Sequence, residues 1–299
     1  MGVDLWPCLL CGVLVYRGSK RSCAKSCIGR RRSKGESKDG ESNGHQPAEA
    51  EAMTKGAAPG GGVAPVESAA EEAVGPSEQT LLGVLADAGF KAHVRSPDGT
   101  LEDVDLQFFL EASVRYREAV STMGTAVKLV LGDFEKNYNL VESIVKADPS
   151  GRGTLRAFLQ AELDSGLHKL GTKGAVRLRD PSGACQLQWL LRGLEFFFTM
   201  LRLLFDGDKY AASHAYGQTL QQYHGWVTSL GIKAALTGMP SRDGFCSLQA
   251  LCPALEGEPE QLSAAISRDT LRAVDAMLPM VQWMIATFKE RSLWESSQA

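Results

Sequence analysis

The stretch that decides the fold is residues 184–205, ACQLQWLLRGLEFFFTMLRLLF. Its large apolar side chains recur at helical spacing through Leu187, Leu190, Leu191, Leu194, Phe197, Phe198, Leu201 and Leu204, the signature of a helix with one continuous apolar stripe. Trp189 points away from that stripe on a helical wheel, and Phe196, seven positions on, shares its off-stripe face. A helix that is apolar on two sides is buried between layers rather than laid on a surface.

Working outward, the neighbouring segments carry the same period. Thr80 to Ala88 has a short helical pattern, and Ser96-Pro97-Asp98-Gly99 places Pro and Gly where turns want them. Asp105 to Met123 predicts a long amphipathic helix through Leu106, Phe109, Leu110, Val114, Tyr116 and Val120. Asp133 to Val145 continues as another helix, with Gly132 as an expected bend or break. Thr154 to Leu170 is a further helix, and residues 171–183 form a basic loop. Lys209 to Leu236 is expected as one helix bent near Gly225. Arg242 to Leu251 is short, and Gln261 to Trp294 is a long terminal helix containing Pro279. No strand pattern of any length is present, so the class is all-α, with long antiparallel helices and short connections.

The region before Ser77 has a different character. Leu5 to Tyr16 is apolar but too short for a transmembrane helix, which needs about 20 residues. Nine lysines and arginines follow between Arg17 and Lys38, the reverse of the order in a secretory signal. Palmitoylation of Cys8 or Cys11 together with this basic run would supply the two signals that stable anchoring requires. A disordered or organelle-targeting leader is the alternative. From Gly35 to about Pro76 the chain is rich in Gly, Ala, Glu and Ser and reads as a disordered linker. The division is thus a leader at 1–34, a linker at 35–77 and a helical domain at 78–297.

Net charge is −3 over 299 residues, and the basic leader makes the remainder distinctly acidic, which argues against nucleic acid as a partner. Seven cysteines, an odd number in a long chain, read as free thiols rather than a disulfide framework. Cys8, Cys11, Cys23 and Cys27 lack the flanking strand or histidine of a zinc site. No nucleophile motif, metal-spaced histidine pair or phosphate loop appears, so neither an enzyme nor a cofactor is expected.

Four polar or aromatic residues stand out. Asp133 and Asn137, four apart, share a helix face and could grip one polar group together, or Asp133 could cap a helix starting after Gly132. Trp189 is either core packing or a ring platform at the end of an apolar cavity. His224 lies in HAYGQTLQQYHGWV, residues 214–227, where histidines, tyrosines and a tryptophan beside a glycine point to a rim that is dry on one side and wet on the other. It could equally be a core histidine bonded to a backbone carbonyl.

Three blocks together resemble the glycolipid transfer protein superfamily: Gly132-Asp133 with Asn137, then Gln188-Trp189-Leu190-Leu191-Arg192-Gly193-Leu194-Glu195-Phe196, then Ala215-Tyr216 through Tyr223-His224-Gly225-Trp226. The match runs from about Thr80 to Trp294. The resemblance implies a two-layer helical sandwich with a hydrophobic pocket between the layers, and non-enzymatic transfer of single sphingolipids between membranes. It implies that Asp133 accepts the ceramide amide N–H, His224 donates to the acyl carbonyl, Asn137 binds sugar hydroxyls and Trp189 stacks on the first sugar. Val130, Phe196, Leu220 and Ile232 are expected to line the chain pocket, and Trp226 to meet the membrane interface. The ceramide-1-phosphate branch carries lysine at position 137 and arginine at 185 and 189; here these are Asn137, Cys185 and Trp189, which favours a glycosylceramide. One departure is Leu140, where the glycolipid branch has lysine. Ceramide-1-phosphate transfer, or a sphingolipid sensor or scaffold that does not transfer, is the alternative. The expected location is cytoplasmic and peripheral to membranes.

Overall fold

The computed structural model describes residues 79–123, 128–170 and 176–296. The leader and linker lie outside them, as does the side chain of Val130. Ten α-helices are described: α1 (Leu81–Lys91), α2 (Leu106–Ser121), α3 (Lys128–Ala147), α4 (Pro149–Arg152), α5 (Leu155–Asp164), α6 (Gly183–Phe205), α7 (Ala211–Gln218), α8 (Trp226–Leu236), α9 (Arg242–Cys246) and α10 (Pro259–Glu290). Capping side chains set several starts. Thr80, Asp105, Thr154, Ser182 and Ser241 each accept a backbone N–H from the first turn that follows.

The helices close on one another. α10 packs against α1 and α6, α1 against α2, α2 against α3, and α3 against α6, while α7 lies on α6 and α8 on α7. This is the all-α, two-layer sandwich, and α6 is its centre. Leu187, Leu190, Leu191, Leu194, Phe198 and Leu201 are all essentially inaccessible. Burying each side chain contributes roughly 1.5–3 kcal/mol. Trp189 and Phe196 are only partly buried against the core, so the second apolar face of α6 is less covered than the stripe.

A buried polar tie holds the start of α1 to α10, beside a more exposed ion pair between Arg272 Nη2 and Asp87 Oδ1 at 2.8 Å. Asp269, fully buried on α10, accepts from Thr80 Oγ1 at 2.9 Å and Thr80 N at 3.2 Å and pairs with Arg268 Nε at 2.9 Å. A Cβ on Gly83 would sit 2.7 Å from Asp269 Oδ2, so only glycine permits the approach.

Several sequence expectations are corrected. Gly132 does not break the chain into separate helices: α3 starts at Lys128 and runs through it. The expected helix from Thr154 ends at Asp164, where Gly166 adopts φ +63°. Two short hairpins are present, His93–Arg95 (β1) with Leu101–Val104 (β2), and Lys169–Leu170 (β3) with Val176–Arg177 (β4). Strands of two to four residues are too short to show an alternating period, although the turn closing the first was legible, with Gly99 at φ +87°.

The largest correction concerns residues 209–236. They form α7, a single 3₁₀ turn at Gln221–Tyr223, and α8, with His224 extended at φ −107°, ψ 136°. In one continuous helix Tyr216 and Tyr223, seven apart, would share a face. Instead Tyr216 bonds toward His224 and Tyr223 toward Trp294, so two different burial partners override the helical period.

Candidate functional site

Asp133 and Asn137 lie one turn apart inside α3. Because α3 begins five residues before Asp133, this carboxylate is not a helix cap, and its position needs another reason. Asp133 is exposed, whereas Asn137 is 2% exposed. Asn137 Nδ2 donates to Asp133 Oδ2 at 3.4 Å, a long bond. Asn137 Oδ1 is buried with no hydrogen-bond partner. An acceptor taken out of water and left unsatisfied costs about 1–3 kcal/mol, and this atom has room in its bonding for one further donor.

On α6, against which α3 packs, Trp189 is half-buried and one turn from Arg192. The Arg192 guanidinium is 4.5 Å from the Trp189 ring centroid and 3.7 Å from that of Tyr223. Arg192 is 2% exposed, and its Nη2 donates to the backbone carbonyl of Glu295. Burial lowers its pKa, an effect opposed by Tyr223 and Glu295.

His224 follows Tyr223 directly. Its Nδ1 lies 2.9 Å from Tyr216 Oη, and the two rings stack with centroids 5.7 Å apart. Tyr216 also donates to Ser229 Oγ at 3.2 Å. The His224 pKa is lowered, first by burial and then by the positive charge of Arg192, so the imidazole stays neutral below its ordinary titration range. The extended backbone at His224 comes from the break between α7 and α8.

The structure therefore brings the predicted residues together as two pairs, Asp133 with Asn137 on α3, and Trp189 with the Tyr223-His224 turn through Arg192. Of the expected chain-lining residues, Phe196 packs edge-on against Tyr216 at 6.5 Å, and Leu220 and Ile232 are partly exposed. Two clefts of about 480 and 430 Å³ lie elsewhere, beside the first hairpin and beside α9. Trp226 is 80% exposed at the start of α8, with Val227 and Leu230 exposed beside it.

Sequence reasoning missed Arg192, Tyr216 and Trp294. For Arg192 the signal was available: a charged residue within the most apolar helix, three positions after Trp189, demands a buried partner.

The family model for glycolipid transfer proteins matches residues 104–250, a span containing Asp133, Asn137, Trp189 and His224. The chain belongs to the glycolipid transfer protein superfamily. The glycolipid transfer protein of Danio rerio is 29% identical over 170 residues, covering 54% of this chain and 77% of that protein. Among solved structures, one showing how FAPP2 selects simple glycosphingolipids using the GLTP-fold has a TM-score of 0.57, with 20% identity over 75% of this chain and 98% of that chain. Human ceramide-1-phosphate transfer protein in complex with 12:0 ceramide-1-phosphate has a TM-score of 0.56, with 19% identity over 71% and 97%. At these identities the structures establish the shared fold, and the two superfamily branches fit it equally well.

Proposed function

We propose that this superfamily member carries one glycosylceramide-type sphingolipid between membranes without altering it chemically. Asp133 accepts the ceramide amide N–H and His224 meets the acyl carbonyl. Asn137 takes sugar hydroxyls, and Trp189 offers its ring to the first sugar. The chains lie between the helix layers near Val130, Phe196, Leu220 and Ile232. The observation that carries this reading is Asn137 Oδ1, a buried acceptor without a partner next to Asp133. A sugar hydroxyl is a donor of the right kind.

Charge favours a glycolipid over a phosphate. Positions 137, 185 and 189 carry Asn, Cys and Trp, and Arg192, the buried cation nearby, is directed to the Glu295 carbonyl and aromatic rings. A phosphate would lack the charge-assisted hydrogen bonds it depends on. Each buried methylene of the chains contributes about 0.8 kcal/mol against water, but the donor bilayer offers the same burial, so the head-group contacts decide which lipid leaves.

Trp226, with Val227 and Leu230, forms the exposed apolar edge that enters the bilayer interface, consistent with a peripheral membrane location. The basic leader at 1–34 would act as a tether or targeting segment.

The test is transfer of glucosylceramide and of ceramide 1-phosphate, side by side, between vesicles of neutral phospholipid. The expected result is glucosylceramide transfer that Asp133→Val abolishes while helical content survives. Preferential transfer of ceramide 1-phosphate would overturn the glycolipid reading, and tight binding without transfer would favour a sensor or scaffold.

A further inference from the structure

The segment after α10 folds back over the site. Ser292, at φ +54°, reverses the chain, and Leu293 N donates to Phe288 O at 2.9 Å. Leu293 and Trp294 are thereby buried, at 0% and 7% exposure. Trp294 Nε1 donates to Tyr223 Oη at 3.0 Å, and its ring meets Phe288 edge-on at 5.9 Å. The next residue continues the attachment: the Glu295 carbonyl accepts from Gln188 Nε2 at 2.9 Å and from Arg192 Nη2, and Glu295 Oε2 accepts from Leu178 N at 3.0 Å.

These contacts share one centre, the Arg192 guanidinium, which lies against the rings of Trp189, Tyr223 and Trp294. Two of those rings belong to, or adjoin, proposed lipid contacts. We infer that Leu293–Glu295 is a clasp whose Trp294 is a positioning residue for the head-group site: it closes the cation–ring stack on Arg192 and so holds Trp189 and the Tyr223-His224 turn in their binding orientation.

The physical reason is that a buried guanidinium needs its acceptors and ring faces. With the clasp displaced, Arg192 loses the Glu295 carbonyl and one ring and moves toward water, releasing Trp189 on one side and Tyr223 on the other. Tyr223 carries His224 with it, because the two are adjacent in an extended turn. The clasp reaches the site through these intermediaries, so its removal acts on lipid binding at a distance.

This inference rests on the head-group reading above, and the experiment separates the two. The full chain is compared with Trp294→Phe, Tyr223→Phe, the double variant and Trp294→Ala, measuring affinity for glucosylceramide presented in vesicles. Each is also labelled with 5-fluorotryptophan, the Trp189 resonance being assigned from Trp189→Phe. Trp294→Phe and Tyr223→Phe each keep a ring and break the same hydrogen bond. Each is expected to weaken binding by up to about tenfold, the worth of one hydrogen bond, with the double variant no weaker than Tyr223→Phe, which also removes the hydroxyl beside Arg192. Trp294→Ala is expected to weaken binding further and to shift the Trp189 fluorine resonance while that of Trp283, on α10 with its ring against Arg156 rather than Arg192, stays in place. If Trp294→Ala fails to fold, the two phenylalanine variants carry the test. Unchanged affinity in both phenylalanine variants, additive losses in the double variant, or an unmoved Trp189 resonance in folded Trp294→Ala would overturn the clasp. Failure of the unmodified protein to bind glucosylceramide would instead overturn the head-group reading beneath it.

Discussion

Replacing Asn137 by leucine should move stability and function in opposite directions. Leucine repeats the branched shape of asparagine without its polar atoms. In the lipid-free protein the side chain is 2% exposed, its Oδ1 is unpartnered, and its Nδ2 makes one 3.4 Å bond to an exposed carboxylate. Removing an unsatisfied buried acceptor relieves about 1–3 kcal/mol, and losing a long bond costs about 0.5 kcal/mol, the low end of the usual range. The net expectation is stabilisation of about 0.5–2.5 kcal/mol. For a domain of this size that raises Tm by roughly 1–10 °C, read by circular dichroism at 222 nm, the wavelength of the helical signal. The same substitution removes the contact proposed for the sugar. One or two lost hydrogen bonds at about 0.5–1.5 kcal/mol each should slow glucosylceramide transfer by up to about a hundredfold. A variant less stable than the parent would refute the claim that Asn137 is held unsatisfied in the empty site. A more stable variant with full transfer would refute its role in recognition.

Two further outcomes follow. Trp226→Ala should slow vesicle-to-vesicle transfer while leaving Tm within about 2 °C, since surface substitutions of this kind change stability by about 0.5 kcal/mol or less; a lost fold or an unchanged transfer rate would remove Trp226 from the membrane edge. The pKa values of His93 and His224 are both lowered in the folded protein, chiefly by burial. Below the ordinary imidazole range the unfolded chain therefore binds more protons. The stability these groups contribute is whole above that range and is lost as pH falls through it toward their lowered folded-state values. Denaturant titrations across this interval should show stability falling toward acid, with a shallower slope in His224→Gln; an unchanged slope in that variant would remove His224 from the buried titrating groups.

Much of the fold was legible because helical burial leaves a period in the chain. The stripe of 184–205 marked α6 as central, and Asp105 and Thr80 stood where the structure places caps. Gly132 misled because glycine only weakens a helix by about 1 kcal/mol, a cost that packing of Leu131, Phe134 and Tyr138 outweighs. The 209–236 segment misled because its apolar period continues across a break that only distant partners impose.

The sequence by itself determined the helical class, the central helix and the four residue types of the candidate site, since spacing and side-chain chemistry are properties of the chain. Tertiary structure alone decided three things. It denied Asp133 the role of a helix cap, left Asn137 Oδ1 without a partner, and joined Trp189 to Tyr223 through Arg192 beneath Trp294. Partners separated by as many as 189 residues leave no local signature, and whether a buried polar atom is satisfied depends on what the folded chain brings to it.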